Sequence, residues 1–172
     1  MGLLDIREKN DKVDGKLLQN LINVDKQRLY RIAFMYVKDE QDALEIVQEA
    51  VYKAFINIKK LKKVEFFNTW ITKIIVNSSL DCIKKRNKLT YIEGQEELYK
   101  SGTEDIEYID LYEAVDSLQG LYKTVIILKY FEDLKIKDIA RILDISESNV
   151  KNYLHKALNR LRIELKEGEY FE

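Results

Sequence analysis

The 172-residue chain contains no proline and only six glycines. These two residues most often interrupt or end a helix, so their scarcity leaves long segments without a natural breakpoint. Hydrophobic residues make up 46% of the sequence and charged residues 34%, a balance typical of folded domains rather than disordered chains. The composition therefore favours an all-α protein.

Cysteine and histidine are equally scarce, with one of each, Cys82 and His155. A single cysteine cannot close an internal disulfide, which favours the cytoplasm as the compartment. The two residues cannot supply the usual ligands of a zinc site, and the sequence offers neither a phosphate-binding glycine loop nor a Ser-His-Asp set. We therefore expect no enzyme activity, metal, cofactor or small-molecule substrate.

A long apolar run is missing from residues 1–12, so we expect neither a signal peptide nor a membrane anchor there. The opening MGLLDI begins like a myristoylation signal, but Ile6 stands where that signal requires Ser or Thr. No direct insertion into a membrane is expected.

The net charge of −1 conceals strong differences along the chain. Residues 20–92 hold fourteen Lys or Arg against eight Asp or Glu, a net charge of +6. Residues 93–117 hold one base and nine acids, net −8, and residues 118–166 hold ten bases and six acids, net +4. Two basic modules separated by an acidic connector are compatible with DNA binding, which the total charge alone would disfavour.

In the first module, residues 20–89, apolar residues recur at helical spacing, as in Leu29, Ile32 and Ala33. Residues 59–68, KKLKKVEFFN, have no clean period and are predicted to form a loop between the second and third helical runs. The pattern predicts a domain of three or four helices. Residues 90–110 are acidic, contain two glycines and show weak periodicity, which predicts a flexible acidic linker.

The second module, residues 111–166, is predicted to contain three helices, the first of which runs through Leu118 and Leu128. Asp144 and Ile145 alone join the last two helices, and Ser146 is placed to cap the final one. This is a helix-turn-helix arrangement, whose last helix would present Lys and Asn side chains to bases and phosphates. The alternative is an ordinary helical hairpin with a solvated basic face.

Three segments together resemble the sigma-70 family of bacterial RNA polymerase sigma factors, and specifically its extracytoplasmic-function (ECF) members. Asp42–Phe55 resembles the polymerase-binding segment, and Phe66–Arg86 resembles the helix that melts the promoter and reads its −10 element. Leu121–Arg162 resembles the domain that reads the −35 element. The resemblance implies two small helical domains, 20–89 and 111–166, joined by the linker 90–110, with the helix-turn-helix in the second.

The resemblance also implies residues for each contact. Contacts with core polymerase would come from Asp39, Asp42, Ile46, Val47, Gln48 and Glu49. Contacts with the −10 element would come from Lys60, Lys62, Lys63, Phe67, Trp70, Lys73, Asn77 and Lys84. Contacts with the −35 element would come from Ser148, Lys151, Asn152, Tyr153, His155 and Lys156. Tyr153 departs from the basic residue usual in the family, and Gln119-Gly120 replaces a common proline.

Each assignment has a plainer alternative. The acidic residues of Asp42–Phe55 could form a merely solvated helix face, and Phe67 and Trp70 could belong to the core. A stand-alone helix-turn-helix regulator would account only for residues 118–166, and a helical protein-binding adaptor would leave the split basic blocks unexplained.

On this resemblance, the chain binds core RNA polymerase, directs it to duplex −35 and single-stranded −10 promoter DNA, and initiates transcription of stress-response genes. Within the family, the likeness points to factors that respond to envelope damage such as lysozyme. The resemblance also implies an anti-sigma factor, often membrane-anchored, that would retain the protein in an inactive state.

Overall fold

The computed structural model describes residues 13–93 and 109–168. These residues are largely helical and include no β-strand, which confirms the all-α prediction for the described part of the chain. They fall into two compact units, the first containing three α-helices and the second four. The helices are α1 Gly15–Val37, α2 Glu40–Ile56, α3 Phe67–Glu93, α4 Ile109–Ser117, α5 Leu121–Ile126 with a π-helical extension Ile127–Phe131, α6 Ile136–Leu143 and α7 Glu147–Gly168.

Only two residues, Lys38 and Asp39, join α1 to α2. Helix α1 begins after Asp14, whose Oδ1 accepts a hydrogen bond from the Leu17 N–H at 2.8 Å. It ends where Lys38 adopts a left-handed φ of 54°. Asp39 Oδ1 then accepts from the Asp42 N–H at 2.8 Å and caps α2. These adjacent caps satisfy backbone groups at both helix ends and let the chain reverse within one short connection.

The core of the first unit consists of one apolar face from each of its helices. Small alanines on α2 let that helix approach its neighbours closely. The buried residues include Leu18, Leu29 and Ile32 on α1, Ala43, Ile46, Ala50 and Ala54 on α2, and Ile71 and Ile75 on α3.

The segment between α2 and α3, predicted as a loop, contains two short 3-10 turns, Ile58–Lys60 and Val64–Phe66. Leu61 and Phe67 anchor it, since each is only 4% exposed. The lysines around Leu61 therefore lie on a segment that is packed against the core.

In the second unit, the prediction of one helix through Leu118 and Leu128 is wrong in its first part. Helix α4 ends at Ser117, and Leu118 is buried in the connection that precedes α5. Gly120 breaks the helix with φ 56° and ψ −129°. Glycine adopts this conformation without the steric conflict that a Cβ creates, so Gly120 can separate the two helices. The family that the sequence resembles commonly has a proline at this point.

The predicted turn between α6 and α7 is present. Asp144 is left-handed at φ 54°, and the Ile145 N–H donates to the Ala140 carbonyl at 3.1 Å. Ser146 Oγ accepts from the Asn149 N–H at 3.1 Å and caps α7. Of the predicted linker, residues 90–93 and 109–110 are helical, whereas residues 94–108 lie outside the described residues.

Candidate functional site

The outward face of α2 carries apolar residues that the core does not use. Leu44, Tyr52 and Ile56 are 45%, 66% and 62% exposed. Together with Gln48, Leu44 and Tyr52 form a stripe with one residue per turn, since they are spaced four positions apart. We call Leu44, Gln48 and Tyr52 the outer stripe of α2. Neither Leu44 nor Tyr52 is predicted from the sequence as a contact residue, although both fall outside the period of the buried residues on this helix. Exposed apolar stripes of this kind are typical of partner-binding surfaces.

A groove of about 480 Å³ lies beside this stripe, between α1 and α2. Its wall includes the apolar side chains of Leu44 and Tyr30, and its rim carries the basic side chains of Lys26 and Arg31. The groove thus offers a partner apolar contact and positive charge at the same place.

Two predicted polymerase contacts have almost no surface to offer. Ile46 is 2% exposed and Val47 is 4% exposed, because both lie on the face of α2 that packs into the core. Gln48, by contrast, is exposed. Ile46 is therefore corrected from a polymerase contact to a core residue, whereas Val47, although nearly buried, still lines the groove between α1 and α2.

The acidic residues predicted on the same helix are engaged within the unit. Asp39 caps α2, as described above. Asp42 Oδ2 lies 3.0 Å from Arg86 Nη1 on α3. Glu49 Oε1 lies 2.8 Å from Lys53 Nζ one turn further along α2.

One face of α3 collects four of the predicted −10 residues, which the spacing of an α-helix brings into line. We call Trp70, Lys73, Asn77 and Lys84 the α3 face. Asn77 and Lys84 are exposed, while Trp70 and Lys73 are half-buried. A row of amide and ammonium groups beside an indole ring is suited to unstacked, single-stranded DNA.

The aromatic residue predicted before this face needs correction. Phe67 is buried because it anchors the start of α3, so its ring is withdrawn from any DNA strand. Its neighbour Phe66 is 47% exposed and presents the available ring. Lys60, Lys62 and Lys63 are all exposed on the same segment.

The outward face of α7 carries five of the six predicted −35 residues, all exposed. They are Ser148, Lys151, Asn152, His155 and Lys156. Because they recur every three or four positions, they share one side of the helix.

Tyr153, the sixth residue, is turned toward the domain. Its ring packs edge-on against Tyr122 of α5, with 5.5 Å between the ring centroids. The guanidinium of Arg160 lies 4.1 Å from the centroid of the same Tyr122 ring. Tyr153 therefore packs against α5 and is half-buried, so that its direct DNA contact stays a prediction.

Cys82 lies on α3 and is partly buried, with Asp42 of α2 nearby. Burial raises the pKa of its thiol, and the nearby Asp42 carboxylate raises it further, while Arg86 acts in the opposite direction. Within residues 13–93 and 109–168, no cluster of His, Cys, Asp and Glu could hold a metal ion. Across the same residues, no helix is long and apolar enough to span a membrane.

Comparison with protein families matches both units. Residues 21–89 match the model of sigma-70 region 2, and residues 108–161 match the model of sigma-70 region 4. The second match covers the helix-turn-helix, and the first covers the outer stripe and the α3 face.

Individual relatives extend over nearly the whole chain. RNA polymerase sigma factor SigV of Bacillus subtilis (strain 168) is 39% identical over 159 residues, covering 91% of this chain and 96% of the relative. ECF RNA polymerase sigma factor SigW of the same organism is 24% identical over 177 residues, covering 91% and 92%.

Solved structures show the same fold. The sigma factor RpoE of Bartonella quintana, solved with the anti-sigma factor NepR, matches with a TM-score of 0.72 and 19% identity over 86% of this chain and 96% of that chain. CnrH, solved with the cytosolic domain of CnrY, matches with a TM-score of 0.68 and 17% identity over 89% and 90%. The chain belongs to the ECF group of the sigma-70 family and is a sigma factor that directs RNA polymerase to promoters.

Proposed function

We propose that the first unit docks on core RNA polymerase through the outer stripe of α2 and the adjacent α1–α2 groove. The exposure of Leu44 and Tyr52 within the outer stripe is the observation that carries this proposal, because a folded domain rarely leaves such side chains aligned without a partner. By the resemblance to the family, the partner at this surface would be the clamp helices of the largest polymerase subunit. Gln48 supplies a polar contact within the stripe.

Binding of fluorescently labelled protein to bacterial core polymerase tests this proposal. Leu44→Glu and Tyr52→Glu each place a charge in the apolar contact, and each is expected to weaken binding about tenfold or more. Val24→Glu is the matched control, since Val24 is an exposed apolar residue of α1 that does not line the groove. Equal affinities for all three variants would place the polymerase contact elsewhere.

We further propose that the α3 face, the exposed lysines at 60, 62 and 63 and the ring of Phe66 bind the −10 element as single-stranded DNA. Flat rings stack on unpaired bases, and lysines neutralise the phosphates beside them. The outward face of α7 is proposed to enter the major groove of the −35 element, where Asn152 and Lys151 can reach base edges. Residues 20–89 and 111–166 are the corresponding functional domains.

The same proposal includes regulation by a protein inhibitor. RpoE and CnrH, which share the fold, were solved with NepR and with the cytosolic domain of CnrY. An anti-sigma factor covering the outer stripe would keep this chain from polymerase until a stress signal releases it. We place the protein in the cytoplasm and assign it no enzymatic activity. A stand-alone helix-turn-helix regulator is disfavoured because it would leave the region 2 match without a purpose.

A further inference from the structure

Three charged residues of α2 form a line that is separate from the outer stripe. Asp42, Glu49 and Lys53 are spaced seven and four positions apart, so they share one side of the helix. Two of them contact α3 directly, Asp42 through Arg86 and Lys53 through Ser78. This line of residues therefore borders α3, whereas Leu44 and Tyr52 are exposed to solvent.

The first contact lies near the start of α2. Asp42 Oδ2 accepts a hydrogen bond from Arg86 Nη1 at 3.0 Å, and the two side chains are 31% and 29% exposed. Partial burial on both sides reduces solvent screening relative to a fully exposed pair.

The second contact lies near the end of α2. Lys53 Nζ is 2.8 Å from Glu49 Oε1 and 3.8 Å from Asp81 Oδ2, and it donates to Ser78 Oγ at 3.1 Å. Lys53 thus joins α2 to α3 through two residues of the latter helix. It also balances the carboxylate of Asp81, which would otherwise repel DNA phosphates near the α3 face.

Apolar packing between these helices specifies their distance better than their register. On the α2 side three of the five buried residues, Ala43, Ala50 and Ala54, have short side chains that form shallow ridges. Ion pairs are directional, and two of them at separate points along a helix define both its axial position and its rotation. A slip of one turn would move the α3 face by about 5.4 Å along its axis.

We propose that Asp42–Arg86 and Glu49–Lys53–Asp81 are positioning clusters that set the register of the DNA-facing helix α3 against the polymerase-facing helix α2. Asp42 then acts inside the unit through Arg86, and Glu49 acts there through Lys53. This inference rests on the proposed function, because it assumes that α2 docks on polymerase and α3 on promoter DNA.

A double-mutant cycle tests the inference on the full-length protein. Asp42→Asn, Arg86→Gln and the double variant are compared for core-polymerase affinity and for the rate of promoter opening. Opening is followed by permanganate reactivity of −10 thymines on a promoter selected from a randomised library by the wild-type holoenzyme. Lys85→Gln is the control, since Lys85 is an exposed neighbouring cation on α3 outside both clusters.

Each single variant is expected to keep its polymerase affinity within about twofold and to open the promoter about two- to fivefold more slowly. The double variant should be slowed by less than the two single effects combined, because both substitutions remove the Asp42–Arg86 pair. Asp42→Asn combined with Lys85→Gln should instead show additive effects.

Two results would overturn the inference alone. One is a loss of polymerase affinity in Asp42→Asn comparable to that of Leu44→Glu, which would make Asp42 a direct contact. The other is an additive Asp42–Arg86 cycle, which would mean that the two residues act independently. A wild-type protein that neither binds polymerase nor opens any promoter would instead overturn the proposed function on which the inference rests.

Discussion

Gly120 is the residue that separates α4 from α5 in the second unit. Its φ of 56° and ψ of −129° are costly for any residue with a Cβ, although a Cβ there would meet no other atom within 4 Å. Gly120→Ala is therefore expected to lower the free energy of unfolding by about 1–3 kcal/mol through backbone strain alone. Urea unfolding monitored by circular dichroism measures the change in the free energy of unfolding.

Gly15→Ala is the matched control for this substitution. Gly15 also has open space around its Cβ position, but it lies in the first turn of α1 without a positive φ. Alanine there should leave stability unchanged or raise it by up to about 1 kcal/mol. Equal effects of the two substitutions would refute the argument from backbone strain.

Cys82 reports on the electrostatics between α2 and α3. Burial first, and then the Asp42 carboxylate, raises the pKa of its thiol, so the folded protein retains that proton to higher pH than the unfolded chain does. Stability contributed by the protonated thiol is therefore present below the ordinary thiol pKa and is lost as pH rises through the folded value.

Asp42→Asn removes one cause of the raised pKa and should speed alkylation of Cys82 by iodoacetamide at mildly alkaline pH. The reading is unambiguous because the chain has one cysteine. Glu45→Gln, on an exposed acidic residue of the same helix, is the control and should leave the rate unchanged. An unchanged alkylation rate in Asp42→Asn would mean that the Asp42 carboxylate does not influence the Cys82 thiol in solution.

At the scale of the element, we propose that different residues of α7 read bases and contact phosphates. Asn152→Ala is expected to reduce discrimination at one −35 base pair by about 5- to 150-fold, while Lys156→Ala should weaken binding to all sequences alike and flatten its salt dependence. Binding of the holoenzyme variants to single-substitution promoters at several salt concentrations measures both effects.

Asn149→Ala provides the matched control for Asn152→Ala. Asn149 is also exposed on α7 but lies in its first turn, outside the proposed contact set. A change of base preference in Asn149→Ala, with none in Asn152→Ala, would mean that α7 enters the groove with a different rotation.

Helical periodicity was sufficient to predict the elements that bury one clear face. It predicted α6, the turn at Asp144 and the cap by Ser146, because each depends on local chemistry within a few residues. It failed at Leu118, since a buried leucine in a connection has the same periodic signature as one in a helix. The break there depends on the backbone conformation of Gly120, which apolar spacing does not reveal.

The same limit explains why several predicted site residues contact their own fold. Motif resemblance identifies positions but not whether a side chain faces a partner or its own fold. Phe67 anchors α3, Tyr153 packs on Tyr122, and Ile46 belongs to the core. Their direction depends on contacts with helices distant in sequence. The exposure of Leu44 follows from the same packing.

At the scale of the whole molecule, we propose that two weakly basic units share promoter recognition. Residues 20–92 and 118–166 carry net charges of only +6 and +4, so either unit alone should bind duplex DNA weakly at physiological salt. Attachment to one polymerase lets both units act at once, which raises the effective concentration of the second contact once the first has formed. Free protein would then leave promoters largely unoccupied.

Run-off transcription tests the account most directly. Bacterial core polymerase would be supplied with a library of promoter fragments and with wild-type protein, the Leu44→Glu variant or no addition. The account predicts that transcripts appear when the wild-type protein is added and not without it, and that the promoters they come from share −10 and −35 sequences. Transcription with Leu44→Glu at the same concentration should be strongly reduced. An absence of transcripts together with an absence of binding to core polymerase would contradict it and favour a stand-alone helix-turn-helix regulator.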